Sequence, residues 1–204
     1  THWHRDHAGN ALFLREKFKC PVICHADDAP FLDGTRLAPP LAGRKLSLPF
    51  KAVCMIQDRF PARSVVDETF TEGRWKWGFD IIPTPGHTDG SVMLLHRHTG
   101  TLFSGDSILS CYWFRRNGSG LRLAMPEFSP DVDGCRNSAR AFIAKAPLIR
   151  RLCPGHGPFV DERVNEKLTR LAAGELKTPI WKDMVRQLGR VPRGALHPQG
   201  LGGA

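Results

Sequence analysis

The period of the apolar positions changes several times along the chain, and each change marks an element. From Gly9 to Lys19, Leu12, Phe13 and Phe18 sit among charges, a spacing that predicts a helix leaving the first seven residues. Pro21, Val22, Ile23 and Cys24 read as a short buried strand. Residues 36–50 carry Pro39, Pro40, Gly43 and Pro49 and read as a loop. Phe79 to Ile82 reads as a strand that runs into the stretch Pro83 to His87. Ser91 to His96 and Thr101 to Ser104 flank a His98-Thr99-Gly100 turn, a hairpin pattern that delivers Gly105 and Asp106. Ser129, Pro130 and Asp131 supply a cap, a first-turn proline and an early acid, so a helix starts there. Val132, Ala139, Phe142, Ile143 and Ala146 would line one face of it. Leu148 to Leu152 reads as a strand entering Pro154-Gly155-His156-Gly157, and a helix follows over 161–173. Residues 175–190 hold Ile180, Trp181, Met184, Val185 and Leu188 at amphipathic spacing, and the Gly- and Pro-rich stretch from Val191 to Ala204 reads as disordered. The pattern divides the chain into a main domain over 1–174 and a helix with a tail over 175–204.

Strands alternate with helices, which makes the class α/β. Ligand-type residues recur directly after short apolar strands, in loops with Gly or Pro: His87, Asp106 and His156. A sheet that presents functional loops along one edge produces such a pattern.

Composition narrows the picture modestly. The 204 residues suit one domain, or one domain plus a tail, with a sizeable core. A 41% hydrophobic and 24% charged make-up is that of a soluble globular protein. No apolar run approaches the roughly 18 residues of a membrane span, so no membrane partner is expected. The net charge of +9 admits RNA, DNA or an anionic small molecule as partner. Yet the arginines are dispersed, with short clusters only at Arg115-Arg116 and Arg150-Arg151, so a small-molecule substrate is the leading expectation. Cys20, Cys24, Cys54, Cys111, Cys135 and Cys153 form neither a disulfide framework nor a zinc-ribbon spacing. Reduced thiols favour an intracellular place, cytoplasmic or organellar.

The densest chemistry lies at the start, where Thr1 to His7 reads THWHRDH. Imidazole and carboxylate suit zinc, with iron or manganese as alternatives. Within a short irregular loop, His2 and His4 can face one ion while Asp6 and His7 face a second. His87, Asp106 and His156 complete the count. Site one takes His2, His4, His87 and Asp106, and site two takes Asp6, His7, His156 and the same Asp106, whose two oxygens allow it to bridge. A water between two ions about 3.5–4 Å apart would ionise near neutral pH and serve as nucleophile. His25, His96 and His98 read as ordinary surface or turn residues. Trp3 and Arg5 read as packing and pairing beside the site, and Thr88 and Asp89 as hydrogen-bonding support for the His87 loop. Tyr112, the only tyrosine, lies six residues past Asp106; it reads as a core or rim residue, with contact to a substrate oxygen as the alternative.

These motifs, in this order, resemble those of the metallo-β-lactamase fold superfamily. His2 to His7 matches its H-x-H-x-D-H loop, Pro85 to Thr88 its P-G-H-T histidine, Gly105-Asp106 its bridging aspartate, and Pro154 to Gly157 its last histidine. The resemblance covers about residues 1–170 and implies an αββα sandwich. Strands normally precede the H-x-H-x-D-H loop in that fold. It therefore implies that Thr1 is a cut point, with N-terminal strands missing and apolar sheet surface and an unpaired edge left uncovered.

Within the family, β-lactamases proper generally lack the aspartate after glycine, so Asp106 points toward the glyoxalase II-like, lactonase, nuclease or oxygenase branches. Glyoxalase II proper would show a G-C-G-R-type stretch where this chain reads SILSCYWF from Ser107 to Phe114. The wording of the motifs is also similar to a branch of single-strand endoribonucleases. The resulting expectation is a hydrolase of esters, thioesters or lactones that uses two divalent cations, zinc first, and metal-bound hydroxide. Asp6 would orient the nucleophile or carry its proton. The alternatives are RNA cleavage, an iron-dependent persulfide dioxygenase-like chemistry at His2, His87 and Asp106, or an inactive fragment.

Overall fold

The computed structural model describes residues 1–37, 39, 48–110 and 120–175. In chain order the elements are α1 (Arg5–Ala8), α2 (Ala11–Phe18), β1 (Ile23–His25), α3 (Ala29–Asp33), α4 (Leu48–Arg59), β2 (Glu68–Phe70) and β3 (Gly73–Arg74). A single 3-10 turn leads into β4 (Phe79–Pro83), followed by β5 (Val92–His96), β6 (Thr101–Gly105), β7 (Ile108–Leu109) and β8 (Arg122–Leu123). The last elements are α5 (Val132–Lys145), β9 (Arg151–Pro154) and α6 (Val164–Ala172).

The larger sheet has five strands in the order β3-β4-β5-β6-β9. Strand β5 is antiparallel to both β4 and β6, and β9 is parallel to β6. So β4, β6 and β9 run the same way, and their C-terminal ends share one edge. A second, two-stranded sheet pairs β1 with β2 in parallel.

Strand alternation assigns the layers. On β5, Met93 and Leu95 join a core cluster with Leu102, Ala139, Ile149, Leu152, Val164, Leu168 and Leu171, so α5 and α6 cover that face. The intervening Val92 and Leu94 meet Ile81, Phe70 and Ile23 on the other face, where β1 and β2 lie. Beyond them, Val22 and Cys24 pack on Trp3, Ala8, Phe31 and Leu32, which brings in α1 and α3. The order is helix, sheet, sheet, helix. Helix α6 shows why the sequence complies: Val164, Leu168 and Leu171 fall on one stripe and are all buried. Burying each contributes about 1.5–3 kcal/mol.

Several elements depart from the sequence reading for identifiable reasons. Helix α4 begins within the stretch read as a loop; Pro49 falls in its first turn, where a missing N–H leaves no helical bond unmade. Strand β9 begins at Arg151 rather than at 148, because the Asn165 side chain takes both backbone groups of Ile149. The cap of α5 is Asp131, which accepts from Gly134 N, and not Ser129. His25 is buried at the end of β1, with Asp27 N donating to its Nδ1, and is not a surface residue. Helix α2 forms as expected, but Phe13, Leu14 and Phe18 are exposed among the described residues. Tyr112 and the amphipathic stretch from 176 onward lie outside the described residues. No helix among the described residues is long and apolar enough to cross a membrane.

Candidate metal centre

The shared sheet edge gathers the expected residues. His87 follows β4, Asp106 follows β6 and His156 follows β9. The N-terminal loop is fixed against them by Val92 N, which donates to Thr1 O at 3.0 Å. His2 and His4 enter from the extended stretch, while Asp6 and His7 sit on the single turn of α1. Ala8 N and His7 N close that turn on His4 O.

Three groups of donor atoms lie close enough to hold a cation: His2, His4 and His87; His2, His7 and Asp106; and Asp6, His7 and His156. Within each, the atoms fall within 4.8 Å of one another. The first group is wholly buried, and the last is open to solvent at Asp6. All seven sequence-expected residues are thus brought together. Asp106 lies between the two outer groups: its Oδ1 is 3.1 Å from His7 Nε2, and its Oδ2 is 3.4 Å from His156 Nε2 and 3.5 Å from His87 Nε2.

The chemistry of this arrangement fits a divalent cation. His2 Nε2 and His87 Nε2 face each other at 3.2 Å, and His7 Nε2 and His156 Nε2 at 3.4 Å. The far side of two of these rings meets a hydroxyl: His87 Nδ1 lies 3.0 Å from Ser129 Oγ and His2 Nδ1 3.2 Å from Thr1 Oγ1. With Nδ1–H donated outward, the lone pairs at Nε2 point inward at each other, which is unfavourable without a cation between them. Asp106 Oδ1 is buried and has no hydrogen-bond partner, His7 standing near it off hydrogen-bonding geometry. Such a buried carboxylate oxygen calls for a positive charge.

Charge states divide the cluster. Burial, reinforced by neighbouring imidazoles, lowers His4 to about 3 and holds His2 well below its ordinary 6.5. Burial also lowers His87, to about 4, against the pull of Asp106. His156 goes the other way, raised to about 10 by its hydrogen bonds with Asp106 and Asp6. Burial would raise both carboxyls, yet the His156 contacts outweigh it; Asp106 ends well below the usual carboxylate range and Asp6 is lowered too.

The close fit extends to the backbone. Gly155 N donates to Gly105 O at 2.8 Å and seats the His156 loop on the Asp106 loop. A Cβ at Gly155 would fall 2.5 Å from His7 Cε1 and closer still to Asp106 Oδ1.

Around the ligands, Trp3 is buried and stacks on Phe31, and the exposed Arg5 donates to Phe60 O. Thr88 braces the His87 loop through Gly86 N and Ser91 Oγ, whereas Asp89 is exposed. Sequence reasoning missed Ser129 and Asp28. The first looked like a helix cap, and the second stands in a polar ADDAP stretch that reads as a turn.

Comparison with known proteins agrees with this geometry. The family profile described as the Metallo-beta-lactamase superfamily matches residues 1–156, a span that includes all seven candidate ligands. The probable metallo-hydrolase MJ0888 of Methanocaldococcus jannaschii is 31% identical over 165 residues, covering 79% of this chain and 69% of the relative. The crystal structure of TTHA1623 in a di-iron-bound form is 28% identical with a TM-score of 0.51, covering 85% of this chain and 72% of that one. The BLEG-1 B3 metallo-beta-lactamase shares the fold at a TM-score of 0.57 and 24% identity, over 78% of this chain and 68% of that one. With the profile spanning most of its length and a metallo-hydrolase this similar, the chain belongs to the metallo-beta-lactamase superfamily and is one of its metallo-hydrolases.

Proposed function

We propose that the chain is a dinuclear hydrolase of an ester, thioester or lactone. One observation carries the reading: two donor groups, one buried and one open, meet at the Asp106 carboxylate, whose Oδ2 lies 3.5 Å from His87 Nε2 and 3.4 Å from His156 Nε2 and whose buried Oδ1 accepts no hydrogen bond. His2, His4 and His87 would hold one cation, Asp6, His7 and His156 the other, with Asp106 between them. When bound, the cations supply Lewis acidity and make water ionise near neutral pH. Imidazole with carboxylate suits zinc or iron, and the di-iron form of TTHA1623 keeps iron in view.

The chain's own residues supply the rest. The Asp6 side chain is 38% exposed, against 2% for His87, so substrate would approach from the Asp6 and His156 side. The lowered pKa of Asp6 keeps it a carboxylate at neutral pH. Its Oδ2, 3.2 Å from His156 Nε2, faces the other donors of the open group, which leaves its second oxygen to orient the nucleophile or carry its proton. Trp3, buried on Phe31 and edge-on to the His4 ring, packs beside that candidate ligand.

Purified protein should carry two divalent cations per chain and turn over members of an ester, thioester and lactone panel. Salt-sensitive cleavage of a single-stranded RNA oligomer, lost in Asp106→Ala, with no carbonyl substrate turned over, would replace this reading by a nuclease. One iron per chain with oxygen consumption would replace it by an oxygenase.

A further inference from the structure

Asp28 is fully buried and lies outside the seven-residue donor set. It occupies the N-cap position of α3, where an aspartate ordinarily accepts from the amides of its own helix. Here it makes no such bond. Its carboxylate turns to two other loops instead. Trp3 N donates to Oδ2 at 3.0 Å, Thr88 Oγ1 donates to the same oxygen at 2.9 Å, and Gly90 N donates to Oδ1 at 2.8 Å.

The identity of those donors decides the meaning. Trp3 lies between His2 and His4, and Thr88 follows His87. One carboxylate therefore ties the loop carrying two imidazoles of the buried group to the loop carrying the third. The three contacts span sequence separations of 25, 60 and 62 residues, so no local turn requires them. Gly90 leaves room for the approach: a Cβ there would stand 2.7 Å from Asp28 Oδ1. The tie continues inward. Thr88 Oγ1 meets Ser91 Oγ at 2.8 Å, Ser91 O accepts from Thr84 N, and Thr84 Oγ1 meets Ser107 Oγ at 2.7 Å beside Asp106.

We infer that Asp28 is a positioning residue that clamps the His2–His4 loop to the His87 loop and holds the buried imidazole group convergent for its cation. The inference rests on the two-cation reading above. Without the clamp, the lone pairs of His2 and His87 would relax apart, and the cation would have to order both loops as it binds. Residues that support ligands in this way typically change cation affinity by about 10–100-fold.

The test is a calorimetric titration of chelator-stripped full chain with zinc, repeated with cobalt(II) and followed by its visible absorption. Asp28→Asn keeps the shape and the acceptor for Gly90 N but removes the acceptor shared by Trp3 and Thr88. The expected result is a weakening of one of two binding steps by about 10–100-fold, with a changed cobalt spectrum for that step and the other step unchanged. His4→Ala identifies the affected step as the buried one. Thr88→Val, which deletes a single donor, should weaken the same step by about tenfold and carries the test if Asp28→Asn does not fold. Equal weakening of both steps, or unchanged binding with only a lowered melting temperature, would reduce Asp28 to a stabilising residue and overturn the inference. Absence of any zinc or cobalt uptake by the wild-type chain would instead overturn the two-cation reading, and this inference with it.

Discussion

The two halves of the centre order their side chains by opposite means. His2, His4 and His87 are buried, held neutral by desolvation, and tied from behind by Ser129, Thr1 and Asp28. Asp6, His7 and His156 lie toward solvent, and their order comes from each other: His156 is held charged between two carboxylates. In the first half the protein has prepared lone pairs. In the second it has prepared an ion pair that, on the two-cation reading proposed above, a cation would have to displace. The contrast teaches that a fold can preorganise one ligand set by packing and leave its neighbour to be completed by whatever binds.

The largest test of that contrast acts on what the halves share. Asp106→Ala should remove both cations and lower hydrolysis by more than the roughly 10–100-fold expected for a supporting residue, read by metal analysis and kcat/KM. If one cation stayed at full affinity, Asp106 would belong to one half only. Next come single-half variants. His4→Ala and His156→Ala should each leave about one cation per chain, and chelator should strip wild-type protein in two steps, the solvent-facing half first. A single cooperative step would erase the distinction.

Proton bookkeeping separates the halves at smaller scale. At pH 7 His4 and His87 are neutral, with values of about 3 and 4, while His156 at about 10 carries a proton. Cation binding should therefore release a proton from the open half alone. Calorimetry in two buffers of different ionisation enthalpy reads this, and His156→Ala should abolish it. The same values set the stability of the stripped chain. Lowered His4 and His87 make the unfolded state bind more protons, so stability is lost as pH falls from 6.5 toward 4 and 3. Raised His156 contributes stability fully below 6.5, lost as pH rises through about 10. The melting temperature of cation-free protein should peak near 6.5 and fall on both sides; a monotonic profile would contradict the charge assignment. The smallest effect belongs to Ser129→Ala, which removes the partner of His87 Nδ1. It should cost about 0.5–1.5 kcal/mol of stability and weaken only the buried half.

How much of this could be read from the chain depended on sequence distance. The convergence of the H-x-H-x-D-H run was legible because four candidate ligands fall within one loop and one helical turn. His87, Asp106 and His156 were legible because each follows a short apolar strand, and antiparallel β5 between β4 and β6 brings those strand ends to one edge. The supports were not. Asp28 reaches partners up to 62 residues away, and nothing in ADDAP distinguishes a buried clamp from a solvated turn. Ser129 obeyed the local signature of a cap and lost that role to Asp131, because His87 from another loop offered its hydroxyl a partner. Helix α4 was hidden by Pro49, a residue that breaks a helix only when it lies past the first turn.

One backbone position carries a consequence for how the two halves keep their spacing. Gly155 lies against both the His7 ring and Asp106 Oδ1 with room for a hydrogen and nothing larger. A methyl group there would collide with both of these candidate ligands at once and force at least one of them to move. The gauge of the site is thus set partly by bare main chain, and a library randomised at position 155 should return glycine alone among active clones.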